Sequence, residues 1–139
     1  MNTSDNKRFI VFTDGASRGN PGKSGIGVVI KNSNHQTIHQ IKKYFPRLTN
    51  NQAEYQALII ALNYVCANNI KEASFFTDSQ LLSNQINGNW KVKHPEIIKL
   101  YHDACKLTKK LDKFEIAYIP RKENSEADSL ANMAIDEYS

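Results

Sequence analysis

The chain has 139 residues, 40% of them apolar and 23% charged, with a formal net charge of +4. That length suits one core and one domain, and the apolar fraction excludes wholesale disorder. A basic balance favours an anionic partner without identifying one, no apolar run is long enough to span a bilayer, and the polar start from Met1 to Asn6 is not a signal peptide, so a cytoplasmic protein is expected.

Residues 1–7 read as a flexible terminus, with a single domain over 8–139. Phe9 to Thr13 is apolar on both alternating faces, as in a central strand covered on both sides. Gly15 to Gly22 reads as a turn-rich loop. Gly25–Ile30 and about Thr37–Phe45 read as strands joined through Asn32-Ser33-Asn34, which implies a hairpin. Gly25 and Gly27 suggest the close approach of another backbone. Asn51 to about Asn68 carries a helical ridge of Ala53, Ala57, Ala61 and Val65 beside one of Leu58, Leu62 and Cys66.

Ala73–Thr77 is a further strand, and Ser79 to about Ile86 a short helix ended near Gly88, a candidate left-handed cap. Pro95 opens a helix to about Leu111, with Ile97, Leu100, Tyr101, Ala104 and Leu107 inward. Phe114–Ile119 is a strand, and Asn124–Ile135 the last helix, with Ala127, Leu130, Ala131 and Ala134 inward. Cys66 and Cys105 have no C-x-x-C spacing and are expected to be free thiols among apolar residues; the four histidines lack zinc spacing and are expected at the surface. The order βββ-α-β-αα-β-α predicts an α/β fold: a mixed five-stranded sheet, three strands antiparallel and then two parallel, with helices on both faces.

Four acids conflict with this packing pattern. Asp14 and Asp78 each follow a strand in the repeated signature Phe-Thr-Asp, and Glu54 and Asp128 lie along helix stripes that should be apolar. Each has an ordinary explanation. Asn51-Gln-Ala-Glu54 and Ser125-Glu-Ala-Asp128 resemble capping boxes, and an aspartate after a strand is commonly a turn residue. Those explanations leave the coincidence unaccounted for, because sites in open sheets gather beyond the carboxyl ends of strands. Converging carboxylates repel by about 4 kcal/mol per pair at 4 Å and an effective dielectric of 20. Either protons are retained or divalent cations sit among them. All-oxygen donors point to Mg²⁺ or Mn²⁺, and two such ions about 4 Å apart suit in-line displacement at phosphorus.

Over residues 8 to 136 the chain resembles the type 1 ribonuclease H family. The resemblance is carried by Phe12-Thr-Asp14-Gly with Gly19-Asn-Pro-Gly22, then Thr49-Asn-Asn-Gln-Ala-Glu54-Tyr, Phe76-Thr-Asp78-Ser and Glu126-Ala-Asp128-Ser-Leu-Ala-Asn. It implies endonucleolytic cutting of the RNA strand of RNA/DNA hybrids with two metal ions, leaving 3′-hydroxyl and 5′-phosphate ends. In that scheme Asp14 bridges both ions, Asp128 helps hold the one that activates water, and Glu54 and Asp78 serve the one facing the leaving oxygen. Asn20, Asn50 and Asn51 match minor-groove contacts, and Arg47 and Thr49 a DNA-phosphate pocket; a helix N-cap is the alternative for Asn51.

Two departures stand out. The long basic protrusion of many relatives is missing, so the chain is a short form. Trp90, Lys91 and Lys93 replace it in part, or else Trp90 is a packed plug with solvated lysines. The loop histidine before the last acid is also missing. Arg121 is the candidate to stand there, with an electrostatic role because arginine does not shuttle protons, or else it contacts solvent. The remaining rivals are an inactive binding module and a related-fold transposase or exonuclease. A monomeric, free-standing enzyme is expected.

Overall fold

The computed structural model describes residues 8–138. In chain order it contains β1 (Arg8–Gly19), β2 (Gly22–Lys31), β3 (Thr37–Leu48), α1 (Asn50–Ala67), β4 (Glu72–Thr77), α2 (Gln80–Ile86), α3 (Pro95–Thr108) and β5 (Lys113–Tyr118). A 3-10 turn, Arg121–Asn124, then leads into α4 (Ser125–Tyr138). The sheet order is β3-β2-β1-β4-β5. β1 pairs antiparallel with β2, and β2 with β3; β1 pairs parallel with β4, and β4 with β5. The mixed sheet expected from the sequence is therefore the one observed.

Alternation along the strands divides the packing between two faces. Val11, Val28, Ile30, Phe75 and Ile116 enter a core with Leu58, Ala61, Leu62 and Val65 of α1 and Ile97 and Ala104 of α3. Truncating Leu58 or Leu62, both fully buried, would cost about 2–5 kcal/mol. α4 packs on the opposite face, burying Ala127, Ala131, Ala134 and Ile135. It lies so close to β2 that a Cβ on Gly25 would fall 2.2 Å from the Ala131 carbonyl oxygen, and one on Gly27 2.1 Å from that of Ala127. The close approach read from these two glycines is thus that of α4.

Several boundaries differ from expectation. The stretch from Gly15 to Gly22 is mostly strand rather than loop: β1 continues opposite β2 through Ala16↔Gly25 and Ser17↔Ser24 to a tight turn between Gly19 and Gly22. The Ser17 and Ser24 hydroxyls both donate to the Leu48 carbonyl, at 2.8 and 3.2 Å, tying this extension to the end of β3. α3 ends at Thr108 rather than Leu111, and Asn124 belongs to the 3-10 turn rather than to α4. The flexible terminus expected at 1–7 lies outside the described residues. All four histidines are exposed, and both cysteines are free.

The outer strands differ in character. β3 is long and largely exposed, carrying Lys42, Lys43, Pro46 and Arg47 outward, whereas β5 is six residues long.

Candidate active site

β1 and β4 run side by side as far as Thr13↔Thr77. There they part: β1 continues against β2 with Asp14 opposite Gly27, and β4 gives way to Asp78 and the Ser79 cap of α2. The two Phe-Thr-Asp signatures thus place their acids side by side where parallel pairing stops. Glu54, in the first turns of α1, reaches the same point. One carboxylate oxygen each from Asp14, Glu54 and Asp78 lies within 4.8 Å of the others.

Glu54 is not a capping acid. Thr49 is the N-cap of α1: its hydroxyl accepts from Gln52 N–H at 3.1 Å, and the Gln52 side chain accepts from Thr49 N–H at 2.8 Å. Asn51 is accordingly not the cap either, and the first turn of the helix is satisfied without the acid. Glu54 Oε1 instead accepts the backbone N–H of Gly15 at 2.8 Å. That contact needs glycine, since a Cβ there would stand 2.3 Å from the Ala53 carbonyl carbon and 2.5 Å from Glu54 N.

Asp128 joins from α4. Its side chain is 29% exposed, its carboxylate lies 3.7 Å from the Arg121 guanidinium, and its nearness helps hold the Asp14 carboxyl protonated. Asn132, one turn later, donates to the Asp128 carbonyl at 3.0 Å and, more weakly, to its carboxylate at 3.4 Å. The 3-10 turn bearing Arg121 is clamped to β1 by Asn124, whose buried amide donates to the Thr13 carbonyl at 2.9 Å.

The electrostatics follow from burial. Asp14 is 4% exposed and Glu54 5%. Burial, reinforced by Glu54, Asp78 and Asp128, pushes the Asp14 carboxyl up to about 10. Burial and Asp78 push Glu54 up to about 8, against the opposing hydrogen bond from Gly15. Protonated carboxyls at neutral pH are what a cation site looks like without its charge. The donors are all carboxylate oxygens, the set preferred by hard divalent cations over zinc. Asp14, Glu54, Asp78 and Asp128 therefore fit such ions.

A cleft of about 470 Å³ surrounds the acids and is lined by Ser17, Arg18, Asn50, Ser79, Arg121 and Asn132 among others. Asn50 stands at its edge, its N–H donating to Asn20 Oδ1 at 2.9 Å. Asn51 is half-buried and Arg47 exposed, and neither lines the cleft; Thr49 is engaged in capping. Trp90 is not a packed plug, being 48% exposed just ahead of the exposed Lys91 and Lys93 on the loop before α3. Sequence reasoning missed Gly15, Asn124 and Asn132. A signal existed for Asn132, four residues after Asp128 on one helix face.

Residues 12–134 match a family model described as reverse transcriptase-like. A bifunctional protein of Mycobacterium tuberculosis is 40% identical over 130 residues, covering 93% of this chain and 36% of its own length. The chain thus spans about a third of that relative. A ribonuclease H of Bartonella bacilliformis is 33% identical over 153 residues, covering 97% of this chain and 94% of its own. Among solved structures, LC11-RNase H1 in complex with an RNA/DNA hybrid superposes with a TM-score of 0.89 at 37% identity, covering 94% of this chain and 98% of its own.

Proposed function

Because the chain belongs to the type 1 ribonuclease H family, we propose that it is an endoribonuclease cutting the RNA strand of RNA/DNA hybrids, with two divalent cations per site, Mg²⁺ or Mn²⁺. The observation that carries this reading is the buried convergence of Asp14, Glu54 and Asp78, with Asp128 beside them. A solved relative is described in complex with an RNA/DNA hybrid, which supports the substrate class.

Asp14, which both burial and the three other acids act on, would serve both ions. Glu54 and Asp78 would hold one with it, and Asp128 would help hold the other. When bound, the ions supply Lewis acidity to the scissile phosphate and lower the pKa of the attacking water. The protein's own part is to fix the carboxylates: Gly15 N–H pins one oxygen of Glu54, while α4 and the Asn124 clamp set Asp128 and Arg121. Arg121, 80% exposed at the mouth, offers positive charge to phosphate and to the departing product. Asn20, Asn50 and Asn51 are assigned to minor-groove contacts that test for a 2′-hydroxyl, with the Oδ1 of Asn20 accepting from Asn50 N–H and its NH₂ left as a donor. Trp90, Lys91, Lys93, Arg47 and Thr49 complete the proposed contacts to the hybrid. Cleavage leaves 3′-hydroxyl and 5′-phosphate ends. The enzyme works as a cytoplasmic monomer; among the described residues no helix is long and apolar enough to cross a membrane.

The test is incubation of the purified chain with an end-labelled hybrid and either metal. Internal RNA cuts bearing 5′-phosphates are expected. No cutting, end-wise release or strand joining would each overturn the reading.

A further inference from the structure

Tyr55 and Gln85 are polar residues in a place where the acid cleft does not require polarity. Tyr55, 1% exposed, follows Glu54 on α1, and Gln85, 5% exposed, lies on α2. The Tyr55 hydroxyl donates to Gln85 Oε1 at 2.7 Å, and Gln85 Nε2 donates to the Lys91 carbonyl at 3.3 Å. Burying a hydroxyl and a primary amide is unfavourable unless both are paired, and phenylalanine and methionine would fill the same space without that requirement. The pair is aimed at one target, the backbone of the loop that carries Trp90, Lys91 and Lys93.

That loop has two polar ties of different reach. Asn84 fixes its start: the Asn84 carbonyl accepts from Asn89 N–H at 2.8 Å and from Trp90 N–H at 3.2 Å. Past Trp90, Gln85 holds the lysine stretch, with Val92 packed against the core beside it. The tie leads back to α1, the helix that also carries Asn50, Asn51 and Glu54. One rigid element thus sets the spacing between the groove-reading asparagines, a carboxylate and a basic loop. Such spacing matters on a duplex, whose phosphates repeat at fixed intervals.

We propose that Tyr55 and Gln85 are positioning residues for hybrid binding, forming a buried relay that holds Trp90, Lys91 and Lys93 in register with the acid cleft. The ligand in this proposal rests on the ribonuclease H reading; the relay's hold on the loop does not. Trp90 is the single tryptophan of the chain, so its fluorescence reports that hold without any activity.

The experiment compares the full chain with Tyr55→Phe, Gln85→Met and the double variant, following acrylamide quenching of Trp90 and steady-state cleavage of hybrid with Mg²⁺. Either single change should raise quenching by about one half, as the loop loosens. It should raise KM about fivefold with kcat within about twofold, the pattern of lost binding rather than lost chemistry. The double variant should be no worse than the more affected single one, because one relay is broken once. Tyr55→Phe removes one oxygen and keeps the ring, so it stands as the test should Gln85→Met not fold. Unchanged quenching, unchanged KM, or a fall in kcat at constant KM would each overturn the proposal. Should the wild-type chain cut no hybrid, the ribonuclease reading fails by itself, and Trp90 quenching alone decides whether the relay holds the loop.

Discussion

One row of residues runs along β1 as Ile10, Phe12 and Asp14, and a parallel row along β4 as Ser74 and Phe76, continued just past its end by Asp78. The first part of these rows floors a hollow of about 840 Å³ with charged residues such as Arg8, Glu72 and Lys113 around it, and Phe12 and Phe76 stacked at 5.5 Å between centroids. The last part delivers two acids to a cleft little more than half that size. The 3-10 turn separates them, sending Glu123 to the hollow and Arg121 to the cleft. The larger cavity is thus the chemically plainer one. What marks the smaller is unfavourable charge: carboxyls buried together and left protonated, a condition that packing alone would have removed.

Substitutions on either side of the divide should separate the two regions. Asp14→Asn should lower turnover by at least about 1,000-fold, roughly 4 kcal/mol in the barrier, and raise the metal-free melting temperature by about 3 °C or more by removing the cost of taking up a proton on a buried carboxyl. Assay and calorimetry on one preparation check both, and an unchanged or lower melting temperature would break the view of the cleft as a strained cluster. Phe76→Ala, in the hollow, should do the reverse, losing about 1–3 kcal/mol of stability while kcat stays within a few-fold.

The metal-free protein should also lose stability as pH rises. Asp14 and Glu54 have folded pKa values of about 10 and 8, above their unfolded values of 3.8 and 4.5. Between those limits the folded state binds more protons than the unfolded one, so unfolding free energy falls with pH. The contribution is fully present below about pH 4 and lost through 8 to 10. Melting curves in chelator from pH 5 to 9 should show the decline, with Asp14→Asn flattening it. A smaller effect is expected at the mouth. Arg121→Ala should slow multiple turnover more than it weakens hybrid affinity, and a collapse of binding alone would remove its role in release. Smallest of all, Lys91→Ala should reduce the salt slope of hybrid affinity by about one unit.

The acids were legible from sequence because a carboxylate on an apolar stripe contradicts its local pattern, and Asp14, Glu54, Asp78 and Asp128 contradict it in a specific order. The element order was legible for the related reason that period and punctuation are local. What escaped was decided across the fold. β1 outruns its apolar segment because β2 and the end of β3 are there to satisfy its backbone. Glu54 looked like a capping acid until Gly15, 39 residues away, proved to hold it, and Asn124 clamps a carbonyl 111 residues distant. No window of neighbouring residues contains those partners.

The outer strands bear on self-association. An open sheet offers unpaired N–H and C=O groups at both margins, a template for adding a strand from another molecule. Here one margin is a strand of six residues, too short for a long ladder. On the other, an incoming strand would meet Lys42, Lys43 and Arg47 on β3, and at Pro46 a residue with no N–H to give. A second copy would bring the same cations to the same margin. The basic face that suits a polyanion thereby also discourages the chain from polymerising through its own sheet.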